Sequence, residues 1–165
     1  MAELTREGET QLVAFVLESE EFACDINDVR EVLKMIRVTP LPRSLDFVEG
    51  VIHLRGEVIP VIDLRKRFGL PEMERTDENR IIIVEVDDRM VGLIVDSVTE
   101  VIRISNSHIQ AAPDKVAGGR THLIMGVGKI GERLLIILNL SRILTNEEQL
   151  ALDEVTQAGR QLPSG

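Results

Sequence analysis

GVIHLRGEVIPVIDLRKRFGL, residues 50–70, is the stretch on which the fold turns. Two apolar runs flank Arg55, Gly56 and Glu57, the pattern of two strands joined by a tight turn. Pro60 has no N–H to give a ladder, so its strand is expected at an edge or at a bulge. Asp63 is placed to cap a short helix, LRKRF, that Gly69 ends. The charged triplet Arg65, Lys66 and Arg67 reads as a solvated face.

Similar hairpins recur along the chain. QLVAFVLE (11–18) and FACDI (22–26) read as a strand pair, and so does RIIIVEVDDRMVGLIVDSV (80–98), turning at Asp87 and Asp88. HLIMGVGKIGERLLIILNL (122–140) reads as another, turning near Gly131 and Glu132. Between them, Val29, Val32, Leu33 and Ile36 recur at three- and four-residue spacing. This predicts a short helix or turn over 27–35 with Asn27 as cap. IRVTPLP (36–42) predicts a short edge strand broken by its prolines. Thr145 to Glu148 forms a capping box for a terminal helix over 145–159 with Leu152 and Val155 on one face. Residues 1–10 read as a mobile arm and 160–165 as a tail.

The two halves match each other. A shift of 69 lays residues 11–33 on 80–102, and a shift of 76 lays 50–68 on 126–144, both without a gap. Two ungapped blocks in the same order favour duplication over chance. The expected architecture is mostly β: two small β subdomains, approximately 11–68 and 80–144, each of about five strands, within one domain over 11–144. Strands crossing between subdomains are left open.

Composition narrows the function. The chain has 165 residues, net charge −9, one cysteine, three dispersed histidines and no Trp or Tyr. An acidic surface repels phosphate backbones, which argues against nucleic acid. Cys24 has no intrachain disulfide partner and fits a reducing cytosol, where it reads as a core residue. No apolar run is long enough to cross a bilayer as a helix, so no direct membrane insertion is expected. Gly126, Gly128 and Gly131 match G-x-G-x-x-G, but a dinucleotide site needs a helix after them, and the repeat predicts a strand. No enzyme motif, cofactor site or metal cluster emerges. The residues alone indicate a binding protein and stop short of its partners.

Gly50-Val51-Ile52-His53-Leu54-Arg55-Gly56 followed by Val58-Ile59-Pro60-Val61-Ile62-Asp63-Leu64-Arg65 resembles the signature of the CheW coupling proteins of bacterial chemotaxis. Gly92-Leu93-Ile94-Val95-Asp96-Ser97-Val98 resembles that family's second segment. The VREV turn, the Ala112-Pro113 loop and the chain's end also fit. The resemblance implies two five-stranded, SH3-like β-barrels around a shared apolar centre. It implies a non-enzymatic adaptor, without cofactor and monomeric when isolated. One surface would bind the cytoplasmic tips of chemoreceptors (methyl-accepting chemotaxis proteins), and another the regulatory domain of the histidine kinase CheA. The protein would be cytoplasmic and recruited to membrane receptor arrays.

Carried over by position, the receptor-facing residues are Val29, Glu31, Val32, Arg55, Gly56 and Val98, with Glu31 and Arg55 orienting each other. Gly50, Gly56 and Pro60 shape the turn and hairpin. His53 departs from the family's usual Asn. Two alternatives stay open: a CheW-like coupling protein of a related pathway such as surface motility, and a small nucleotide-binding enzyme using Gly126 to Gly131. An initial Met, a capped terminal helix and the absence of a receiver pattern favour a stand-alone adaptor over a module of a larger kinase.

Overall fold

The computed structural model describes residues 8–41, 45–111 and 123–160. Eleven strands occur among them: β1 (Glu9–Leu17), β2 (Glu20–Asp25), β3 (Val29–Lys34), β4 (Val48–Leu54), β5 (Glu57–Asp63), β6 (Arg80–Val86), β7 (Arg89–Val95), β8 (Ser97–Ser105), β9 (Ile109–Gln110), β10 (Ile124–Ile130) and β11 (Arg133–Leu138). Helix α1 (Leu64–Arg67) follows β5, and α2 (Asn146–Arg160) closes the described chain. The Ala112-Pro113 loop lies outside the described residues, as do 1–7 of the arm expected over 1–10 and 161–165 of the tail expected over 160–165. The rest of those two expectations needs correction, because Glu9 and Thr10 belong to β1 and Arg160 to α2.

Two sheets form, ordered β8-β1-β2-β11-β10-β9 and β3-β6-β7-β5-β4. The first hairpin of each half is inserted among the strands of the other half. Thus β1 and β2 lie between β8 and β11, while β6 and β7 lie between β3 and β5. The correspondence between sheets extends to register. Ile137 stands opposite Ala23 in the parallel β11–β2 pair, and Val61 opposite Gly92 in the parallel β5–β7 pair. The shift between Ala14 and Phe15 on β1 has its twin between Ile83 and Val84 on β6, opposite Val29 and Glu31. Strand exchange of this kind makes each barrel depend on the other half of the chain.

Both faces of the inner strands are buried, which is why they read as continuous apolar runs. Leu12 and Ala14 fill one barrel with Ile102, Leu135 and Ile137. Ile81 and Ile83 fill the other with Ile52, Ile59 and Ile94. The alternate residues Val13, Phe15, Ile82 and Val84 enter a third core between the sheets, with Val51, Ile62, Leu93 and Leu152. Four hairpin turns have consecutive or leading residues at positive φ: Glu18 and Ser19, Arg55 and Gly56, Asp87 and Asp88, and Gly131. That conformation suits the right-handed twist of the paired strands.

Four local expectations need correction. Residues 27–35 are not helical: a 3-10 turn over Ile26–Asp28, capped by Asp25, leads into edge strand β3. Of the stretch 36–42, the described residues 36–41 contribute only an isolated bridge, Thr39 to Val51. Pro60 stands on an inner strand rather than at an edge, because β5 lies between β4 and β7, although the β4–β5 pair does carry the other expected feature, a bulge, between Val48 and Gly50. Its partner Val51 spends its N–H and C=O on Thr39 (2.9 and 2.8 Å), and pairing with β7 runs from Val61. The missing N–H therefore interrupts neither ladder. Finally, Arg65 is buried rather than solvated, as the partners named below require.

Other local readings hold. Asp63 accepts from the Arg65 amide at 2.8 Å and caps α1, and Gly69 follows at φ +70°. Thr145 and Glu148 exchange the two hydrogen bonds of a capping box (3.1 and 2.8 Å). The glycines at 126 and 128 lie within β10, and β11 rather than a helix follows. The geometry required for a dinucleotide is therefore not met. Cys24 is fully buried, and burial, with the charges of Asp28 and Asp25, pushes its thiol up to about 12. Native protein is expected to resist a thiol-reactive dye at neutral pH and to label only on unfolding in urea. Fast labelling of the folded state would contradict this placement.

Candidate receptor-facing surface

The surface is built on edge strand β3 and the β4–β5 turn. Burial along β3 alternates, but with an inverted sense: Glu31 is half-buried and Val32 is 41% exposed. A bulge between Val29 and Glu31 precedes them on this strand. Arg55 leads the β4–β5 turn at φ +49°, followed by Gly56 at +81°. From there its guanidinium Nη2 donates to Glu31 Oε2. The hydrogen bond and charge of Arg55 hold the Glu31 carboxyl below its ordinary value and raise Arg55's own pKa. Such an exposed pair fixes geometry more than it stabilises the fold.

Val29 packs partly against the inter-sheet core, and so does Val98 on β8, its counterpart 69 residues on. The structure thus joins Glu31 to Arg55 directly and sets Val29 and Val32 on the same strand. Val98 lies on the edge strand of the other sheet and makes no described contact with that ion pair. One exposed apolar residue was not singled out from the sequence. Val101, the counterpart of Val32, is 54% exposed on β8. The shift of 69 that relates Val29 to Val98 also relates Val32 to Val101, so the signal was present.

The remaining signature residues are structural. Gly50 brings β4 under Thr39 and Pro40. His53 is half-buried on β4 opposite Val58, and its Nε2 is buried without a hydrogen-bond partner among the described residues. Arg65 donates from Nε and Nη2 to Asp96 (2.7 and 2.6 Å), and from Nη1 to Glu18 and to the Pro71 carbonyl. It ties α1 to the β1–β2 turn and the β7–β8 junction. Among the described residues no cluster of His, Cys, Asp or Glu has the spacing to hold a metal. No helix among them is long and apolar enough to cross a membrane.

A pair of exchanged β-barrels with an exposed apolar edge and an oriented ion pair defines a protein-binding module. The chain matches the CheW-like domain family over residues 11–148. It is 39% identical to the chemotaxis protein CheW of Bacillus subtilis (strain 168) over 137 residues, covering 83% of this chain and 88% of that protein. It is 32% identical to the chemotaxis protein CheW of Klebsiella aerogenes over 154 residues, covering 92% and 93% respectively. The crystal structure of the scaffolding protein TtCheW from Thermoanaerobacter tengcongensis superposes with a TM-score of 0.79. Its sequence identity is 39%, over 86% of this chain and 96% of that one. The chain belongs to the CheW family, and it is a chemotaxis coupling adaptor.

Proposed function

We propose that this adaptor joins the cytoplasmic tips of chemoreceptors to the regulatory domain of a CheA-type histidine kinase, at arrays on the cytoplasmic side of the membrane. The observation that carries the receptor half of this reading is the Arg55–Glu31 pair beside the exposed Val32. An apolar side chain held outside on an edge strand, with a charged pair fixed next to it, suits a partner helix with apolar anchors and polar flanks. Val29, Val98 and Val101 extend the apolar grip, and Gly56 keeps the turn short. The kinase contacts a separate surface.

Reversing the charge with Arg55→Glu tests this. Arg55 is mostly exposed and outside the cores, so the variant is expected to fold with an unchanged far-ultraviolet spectrum and nearly unchanged Tm. Binding to receptor tips and kinase activation in a reconstituted array are expected to fall at least about tenfold. A folded variant that still supports full activation overturns the assignment. In parallel, ATP or NAD is expected to leave the melting temperature of the wild-type protein unmoved.

A further inference from the structure

We propose that α2 is a clamp that positions the Arg55 turn for its partner; this rests on the receptor-facing reading of that turn. The near-symmetry of the molecule isolates the effect. The β4–β5 hairpin and the β10–β11 hairpin are counterparts in fold and register. Helix α2 packs on the first, and no helix among the described residues packs on the second to a comparable extent. The consequence is visible at equivalent positions. Val58, two residues past Gly56, is half-buried, whereas its counterpart Leu134 is 54% exposed. The symmetry breaks on the hairpin that carries Arg55.

The contact is close. Gly159 lies so near the sheet that a Cβ there would stand 2.7 Å from Val58 Cγ1 and 3.0 Å from Val51 Cγ2. Leu152 and Val155 enter the inter-sheet core on the same face of the helix. On the other flank the packing is open. A cavity of about 440 Å³ opens between α2, the start of β5 and the start of β7, with Gly56, Val58, Arg89, Leu152 and Arg160 among its walls. Across it the helix is held by Arg89, which donates to both Asp153 oxygens (2.8 and 3.0 Å) and to Gln149 (3.0 Å). With Leu152 and Val155 anchored in the inter-sheet core, it is the end of the helix at Gly159 that can shift without unfolding the barrels. Val51 and Val58 lie on the two strands that meet at Arg55, so a shift of α2 frees the turn.

Two variants test the clamp. Gly159→Val presses the helix end away from Val58, and Asp153→Arg sets like charges against each other at Arg89 while leaving the apolar contact intact. Amide hydrogen exchange is read at residues 54–58 and, as an internal control, at the equivalent 130–134. Exchange at 54–58 is expected to accelerate at least about fivefold in both variants, more in Gly159→Val, with 130–134 unchanged. Equal acceleration at both turns shows general destabilisation and overturns the proposal, as does unchanged exchange at 54–58. Receptor-tip binding then supplies a second readout. Gly159→Val is expected to weaken it, and to add no further loss in an Arg55→Glu background. Additive losses overturn the positioning role. If Arg55→Glu alone leaves binding intact, the receptor assignment fails while the exchange data still decide the clamp.

Discussion

Arg65→Ala is expected to lower the unfolding free energy by about 3 kcal/mol, and the midpoint of thermal unfolding by roughly 10 °C. The side chain of Arg65 is only 5% exposed, yet it is a cation. It is tolerated because four donor contacts are met by Asp96, Glu18 and the Pro71 carbonyl. Removing it leaves the half-buried Asp96 carboxylate facing a void, with the Glu18 amide at 3.0 Å and the more distant charge of Arg75 as its remaining favourable partners. The loss arises from that stranded charge more than from the pair's own attraction. Arg65→Ala combined with Asp96→Asn is therefore expected to recover part of the stability. Two equal single and double losses would show that the network is not what the cation is there to satisfy.

The same network sets a pH signature. Burial opposes ionisation of Asp96. The hydrogen bonds from Arg65 and the Glu18 amide, with the charges of Arg65 and Arg75, outweigh it and hold its pKa below 3.8. A carboxylate depressed on folding contributes stability above its unfolded pKa and loses it as pH falls toward the folded value. The gap between wild type and Arg65→Ala is thus full at neutral pH and narrows below 3.8. Urea unfolding at several pH values measures it.

The hairpins were legible because each is local. Two alternating strands with Asp-Asp or Arg-Gly between them need no distant information, and the Asp63 cap and the Thr145–Glu148 capping box are local too. The exchange of hairpins between halves was not legible. The β1–β8 and β2–β11 pairs join segments whose periodicity would accept either partner. The repeat located counterparts without saying which half completes which barrel. Strand β3 was misread for a physical reason: a bulge and an outward-facing Val32 give it helix-like apolar spacing. The departure from strand patterning falls on Glu31 and Val32, two of the residues proposed to face the receptor. Arg65 was misread because nothing in Arg-Lys-Arg distinguishes the member whose carboxylates arrive from 31 and 47 residues away. Glu31 and Arg55 came from the family signature, and the structure joined them. Val101 needed only the same shift applied to Val32.

Gly50→Ala is expected to cost more than any other glycine substitution in the β4–β5 hairpin, about 4 kcal/mol or outright failure to fold. Two effects coincide there. Its φ of +146° is open to glycine and strained for any L side chain. A Cβ would also fall onto the Thr39 carbonyl oxygen, 2.7 Å from the Thr39 carbonyl carbon and 2.8 Å from Pro40 Cα. These are backbone atoms and cannot swing aside. Gly56 separates the two effects: its φ is +81°, but a Cβ meets nothing within 4 Å. Gly56→Ala is therefore expected to cost only about 1 kcal/mol, the backbone contribution alone. Gly126, the counterpart of Gly50, has a Cβ position 2.7 Å from the Gln110 carbonyl oxygen and no positive φ, so Gly126→Ala belongs between them. Urea midpoints at constant slope rank the three, and a Gly50→Ala protein as stable as Gly56→Ala overturns the order. Under the proposed receptor-facing role, function enters through the crossing that Gly50 permits. The Thr39 to Val51 bridge carries the chain from β3 across β4, fixing the strand that bears Glu31 and Val32 against the hairpin that bears Arg55. A milder substitution there, one that folds but loosens the bridge, is expected to weaken receptor coupling before it lowers Tm appreciably, because the two halves of the ion pair reach it from opposite sides of that crossing.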